Sequence, residues 1–166
     1  MANTAPAVQL APQDWRLFRD LRLRALASDP AAFGSTHAKE AALSDDEWRA
    51  RLDSGDGAVF AVMQGDEPAG MLGIARRDGV PPGAIVWGLW VAPYARGQGV
   101  SDALQQACRG WAVANGIAVM RLMHRAGNAV AQGFTGRHGY RLTGSEADFI
   151  WPDGKADDRL LYELVI

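Results

Sequence analysis

The chain has one cysteine, Cys108, in 166 residues, so no disulfide can form within it, and a reducing compartment suits it better than a secreted one. Such a residue ordinarily packs as a small apolar side chain. No run of about 18 uncharged apolar residues occurs, which excludes a membrane-crossing helix. The opening "MANTAPAVQL" lacks a basic stretch followed by an apolar one, so it does not read as a targeting segment. An excess of one charge is missing too: 17 Lys and Arg stand against 19 Asp and Glu, a net charge of -2, which exerts no general pull on nucleic acid. Internal repeats, low-complexity tracts and interdomain linkers are also absent. The expectation is a single domain, 1–166, in the cytoplasm, with no nucleic-acid or membrane partner and no metal site.

What is present is a succession of short amphipathic and apolar segments. "PQDWRLFRDLRLRALASDP" spaces Leu17, Leu21 and Ala25 four apart with Phe18 beside them, predicting a first helix closed by Pro30. In "LSDDEW", Ser44 and Glu47 stand at capping-box spacing, with Leu43 and Trp48 placed as a hydrophobic staple, predicting a second helix to about Leu52. "AVFAVM", "AGMLGIAR" and "AIVWGLWVA", separated by the turn chemistries "QGDEP" and "DGVPPG", then read as an antiparallel meander. Its third member, Ile85 to Val91, is apolar apart from Gly88, as a strand covered on both faces would be, and Gly88 marks a bulge or a close backbone approach.

From Gly99, the residues Leu104, Cys108 and Trp111 recur at helical spacing until Gly116. "AVMRLMH" predicts the strand after it, Asn128 caps a further helix to about Arg137, and "YRL" and "RLLYELVI" supply two last strands.

The step from Val91 into "RGQGVSDAL" is a strand, a loop with glycines at 97 and 99, and a helix start. Unpaired N–H groups of a first helical turn, at the positive end of the dipole, suit a phosphate, and glycine lets it approach the backbone. Arg96 adds a fork of donors. Gly-Lys-Ser/Thr is absent, and Asp102 stands where a dinucleotide fingerprint needs its third glycine, so neither of those phosphate loops is present. On these residues alone a tight turn accounts for the stretch as well as a phosphate cradle does.

The stretch Arg96-Gly97-Gln98-Gly99-Val100-Ser101 resembles the Arg/Gln-x-x-Gly-x-Gly/Ala signature of the GNAT N-acetyltransferases, with Ser101 in place of the usual glycine or alanine. "LWVAP" before the loop, Asn128 and Ala131 three apart, and "RHGYRLTG" extend the resemblance over most of the chain. It implies a mixed α/β (α+β) fold: a mostly antiparallel sheet of about seven strands, flanked by about four helices, with the fourth and fifth strands splayed.

The resemblance also implies a cofactor site for acetyl-CoA as cosubstrate. Gln98, Gly99, Val100 and Ser101 would offer N–H groups to the pyrophosphate, and Arg96 and Gly97 would shape the entry. Pantetheine would pair with the backbone of Leu89, Trp90 and Val91, and an N–H near Val91 would stabilise the oxyanion. Asn128 would reach the cofactor, although a helix cap explains it almost as well. The reaction implied is direct acetyl transfer to the amine of a small molecule or peptide.

Two of the family's usual catalytic groups are missing. Its strand-four glutamate is Ile85 here, with no acid from Ala84 to Ala92, and its tyrosine seven residues after the asparagine is Thr135. A thiolate leaving group can collect its proton from water. For the base, His124 alternates with Met120 and Leu122 at the carboxyl end of its strand, where open α/β sheets bind ligands. A histidine satisfied by neighbouring backbone explains His124 as well; Glu40 is a further candidate, as is Glu146, on segments that would rim the acceptor pocket, and both are equally explained as solvated surface acids. Either Trp87 or Trp90 would wall a pocket, although tryptophan in a central strand is more often core, and strict alternation points Trp90 away from Leu89 and Val91. The missing groups also motivate a rival reading, a non-catalytic acyl-CoA sensor. A homodimer through the apolar "LLYELVI" at a sheet edge is a further expectation.

Overall fold

Local signals set where the helices begin and end. In the computed structural model, which describes residues 4–77 and 83–166, α1 (Trp15–Ser28) follows a short 3-10 turn and stops at Asp29, whose backbone is restricted by Pro30. The Ser44 hydroxyl accepts from the Glu47 N–H and the Glu47 carboxylate accepts from the Ser44 N–H, so the expected capping box starts α3 (Asp45–Leu52). Between them lies α2 (His37–Ala41), capped by Thr36, a helix too short for periodicity to reveal. The helix α4 (Val100–Ala114) ends at Gly116, which takes a φ of 67°, and α5 (Ala129–Arg137) is capped by Asn128 through the Ala131 N–H at 3.0 Å. There are thus five α-helices among the described residues, one more than the sequence announces.

The strands β1 (Val8–Gln9), β2 (Gly57–Gln64), β3 (Glu67–Arg76), β4 (Gly83–Val91), β5 (Val119–Arg125), β6 (Arg141–Ile150) and β7 (Ala156–Val165) form one sheet in the order β1-β2-β3-β4-β5-β7-β6. Every neighbouring pair is antiparallel except β4 and β5. The expected meander is β2, β3 and β4, and most of its "DGVPPG" turn lies outside the described residues. The last strand corrects an expectation: β7 is interior, hydrogen-bonded to both β5 and β6, so "LLYELVI" has no free edge to offer, and β6 is the edge instead.

The helices α1 and α3 cover one face and α4 the other. Phe18 of α1 meets Trp48 of α3 edge-on at 5.2 Å, and both are fully buried. On the opposite face, a Cβ at Gly70 of β3 would stand 2.8 Å from Val100 and 3.3 Å from Leu104, so only glycine lets α4 come this close. Full burial of each large side chain in these layers contributes ~1.5–3 kcal/mol. Among the described residues no helix is long and apolar enough to cross a membrane.

The sheet has an irregularity in β4. Met71 pairs with Trp90 and Gly73 with Trp87, so Gly88 and Leu89 together oppose Leu72: β4 bulges at the glycine the sequence singles out. Gly88 adopts a φ of 69°, a conformation that side chains disfavour. Strict alternation would send Trp87 and Trp90 to opposite faces; the extra residue puts both on the α1 face. Trp87 lies 6.2 Å from Phe18, and the Trp90 N–H donates to Ser28 and Asp29 at the end of α1.

Candidate active site

The parallel pairing of β4 with β5 runs from Gly83↔Val119 only to Ile85↔Arg121, after which the strands part. The gap opens into a cavity of about 640 Å³ between the bulge, the loop before α4, the end of β5 and the start of α5. Of the cofactor residues expected from sequence, Leu89, Trp90, Val91, Arg96, Gly97, Gly99, Val100, Ser101 and Asn128 line it. Gln98 does not; its side chain donates to the Tyr94 carbonyl at 2.8 Å and accepts from Gln64 at 3.0 Å, bracing the loop from behind.

The loop presents backbone. Gly99 is the N-cap of α4 with a φ of 82° and no side-chain cap, so the first-turn N–H groups face the cavity mouth without a side chain competing for them. A Cβ at Gly99 would also stand 2.9 Å from the Thr4 hydroxyl, which donates to the Gln98 carbonyl. Arg96 donates to the Val91 carbonyl at 3.0 Å and to Asp29 at 3.2 Å, tying the loop to β4 and to the end of α1. The Ser101 hydroxyl accepts from Arg137 of α5 at 3.2 Å. Arg137 also stands 3.6 Å from Asp102, which meets His138 at 3.0 Å. Burial lowers the His138 pKa, with Arg137 acting in the same direction and Asp102 opposing.

The Val91 backbone is aimed into the gap. The bond from the Ala92 N–H to the Ala69 carbonyl, 2.9 Å, makes Gly70 and Val91 a non-hydrogen-bonded pair. The N–H and C=O of Val91 therefore turn away from β3. Arg96 occupies the carbonyl, and the N–H is directed to where β5 has withdrawn.

His124 lies on the cavity wall, 4% exposed, its ring stacked on Tyr162 at 4.9 Å. Its Nδ1 is 2.8 Å from the Arg125 carbonyl, which can only accept, so in the neutral ring Nδ1 carries the proton and Nε2 holds the lone pair. Nε2 has no partner among the described residues.

Glu40 stands outside the cavity lining, buried and held by Arg22 at 2.8 and 3.0 Å and by Arg51 at 3.0 Å. Burial pushes its pKa up, but the hydrogen bond and charge of Arg22, with Arg51 beside it, outweigh that and hold the carboxyl below its ordinary value. Glu146 is exposed on β6, paired with Arg159, and is not part of the lining. Ile85 takes part in the last β4–β5 pair, and the buried Thr135 hydroxyl donates to the Gln132 carbonyl at 2.9 Å. Among the described residues no cluster of His, Cys, Asp and Glu could hold a metal ion.

Sequence reasoning missed Asp29, Phe33 and Arg137 in the lining. Asp29 was visible only as a helix terminus before proline, and Phe33 and Arg137 reach the cavity through tertiary packing that no local spacing encodes.

Residues 21–140 match the family model described as the Acetyltransferase (GNAT) family. An acetyltransferase of the GNAT family from Streptococcus pneumoniae superposes with a TM-score of 0.81 at 21% identity, over 96% of this chain and 98% of that one. RimL, a ribosomal L7/L12 alpha-N-protein acetyltransferase solved with coenzyme A, gives 0.78 at 19% over 99% and 95%. The putative acetyltransferase yncA from Salmonella typhimurium, solved with its cofactor acetyl-CoA, gives 0.81 at 16% over 98% and 94%. At such identities the likeness shows a shared fold. No curated protein matches the sequence.

Proposed function

The chain belongs to the acetyltransferase (GNAT) family, and on that footing we propose that it transfers the acetyl group of acetyl-CoA directly to a primary amine of a small molecule or peptide. The observation that carries this reading is the uncapped, glycine-led start of α4 at the mouth of the gap between β4 and β5. First-turn N–H groups of Val100 and Ser101 would hold the pyrophosphate, and Arg96 and Gly97 would keep the entry open. The Leu89–Val91 backbone, left without a partner on its β5 side by the splay, would pair with the pantetheine arm.

The Val91 N–H is placed to stabilise charge on the thioester oxygen as the amine attacks. Nε2 of His124 is the group proposed to take the amine proton, since its tautomer leaves an unpartnered lone pair there and the residue belongs to the cavity lining. Glu40 is assigned a structural role by its two arginines. Thr135 does not act as the acid in this scheme, and the departing thiolate takes its proton from water.

Acetyl-CoA should raise the melting temperature, because a ligand of the native state stabilises it, and amines should accelerate CoA release. Stabilisation without amine-dependent release would favour the second reading, a non-catalytic acyl-CoA sensor. The observations behind that alternative are Ile85 at the glutamate position and the Thr135 hydroxyl already bonded to Gln132. Absence of any thermal shift would remove both readings. The proposal places the protein in the cytoplasm. A homodimer, if formed, would use the β6 edge, where Leu142 and Ile150 are exposed, and sedimentation would detect it.

A further inference from the structure

Among the described residues α1 buries one charged side chain, Arg22, 7% exposed. Its Nε and Nη2 donate to the two carboxylate oxygens of Glu40 at 3.0 and 2.8 Å. Arg51 donates to the same carboxylate at 3.0 Å. Two cations thus share one anion, and the cluster keeps a net positive charge.

The third guanidinium nitrogen is unused. Nη1 of Arg22 is buried and has no hydrogen-bond partner among the described residues. A charged donor taken out of water without an acceptor is destabilising, so its position calls for an account. Nη1 lies at the bulge: a Cβ on Gly88 would be 3.3 Å away from it. The guanidinium carbon is 5.2 Å from the centre of the Phe33 ring and 5.7 Å from that of Trp87. Gly88, Phe33 and Trp87 all line the cavity. Arg22 is not itself part of the lining; Glu40 fixes the guanidinium so that its free donor lies directly behind these lining residues, on the α1 side of the sheet, away from α4 and its phosphate loop.

We infer that Arg22 Nη1 receives the carboxylate of the acetyl acceptor, which makes the acceptor a free amino acid whose carboxylate stands beside the amine to be acetylated. Phe33 and Trp87 shield Nη1 from water, so the arriving carboxylate moves one ring aside, and both rings then flank an apolar side chain. A carboxylate suits the cluster's residual positive charge; an amide oxygen would satisfy the donor but leave the charge uncompensated. The inference rests on the acetyl-transfer reading above and assigns its substrate class.

The test compares CoA release by the intact protein with the protein amino acids, their amides and their decarboxylated amines. At least one free acid should exceed its amide and its amine tenfold or more in kcat/KM, mainly through KM. The doubly neutral variant R22Q/E40Q, which keeps a hydrogen-bonded pair, should bring that ratio to within twofold while acetyl-CoA still raises its melting temperature. A merely structural Arg22 would not move the ratio. Amides or amines matching the acids, turnover confined to amines without a carboxylate, or a preference unchanged in R22Q/E40Q would overturn the inference and leave acetyl transfer intact. If the double variant does not fold, the wild-type ratios decide alone. No thermal shift with acetyl-CoA and no release with any amine would instead overturn the acetyl-transfer reading, and this inference with it.

Discussion

The two sides of the cavity are built from different material. Toward α4 the surface is mostly main chain from one continuous stretch: the outward-turned Val91 N–H, Gly97, Gly99 and the first turn of α4. Toward α1 it is made of side chains from distant places: Asp29, Phe33 and Trp87, with the pair Arg22 and Glu40 behind them. A main-chain site recognises what every member of a family must bind. A side-chain wall can change one residue at a time, and specificity resides there.

Substitutions should separate the two sides. Replacing Gly99 with Val puts a β-branched residue at a φ of 82° and drives a Cβ toward Thr4. Losing two charge-assisted contacts at ~1.5–3 kcal/mol each should weaken acetyl-CoA roughly a thousandfold by calorimetry. Unchanged affinity with an intact fold would put the pyrophosphate elsewhere.

On the other wall, Glu40→Ala leaves Arg22 buried without its partner and should cost about 3–5 kcal/mol in urea unfolding. The variant should still gain stability from acetyl-CoA; failure to do so would mean the two sides are not independent. Because the folded-state pKa of Glu40 is lowered, its contribution is complete above the ordinary glutamate value of about 4.3 and is lost as pH falls through the folded-state value. Unfolding of Glu40→Gln should therefore depend less on pH in that acid range than unfolding of the wild type.

His124 stands where the two sides meet. His124→Gln should lower kcat about a hundredfold and flatten its dependence on pH, with little effect on acetyl-CoA binding. An unaltered profile would remove His124 from the mechanism. The smallest effect is expected far from the cavity: Ser44→Ala should cost ~1 kcal/mol by removing the α3 cap, without changing kcat.

The same division explains what could be read from the sequence. The capping box at Ser44, the bulge at Gly88, the left-handed Gly99 and the cap at Asn128 are local events, each needing a particular residue at a particular offset. The joining of Arg22 to Glu40 across 18 positions has no such signature, since any arginine of α1 satisfies a helical pattern. Five-residue α2 carries too little periodicity to be seen, and the interior position of β7 depends on how β6 folds back outside it. Strict alternation would part Trp87 from Trp90, and it fails here because it holds only where no residue is inserted between them.

That inserted residue has an optical consequence. By turning both indoles toward α1, the bulge leaves Trp90 hydrogen-bonded to Ser28 and Asp29 and half-buried Trp87 beside Arg22, both on the cavity lining. The molecule thus carries two intrinsic fluorophores on one cavity, one tethered by hydrogen bonds and one held by packing alone. With six tryptophans in the chain, the Trp87 contribution to emission is read by difference against Trp87→Phe, and a ligand that reaches the α1 side should change it.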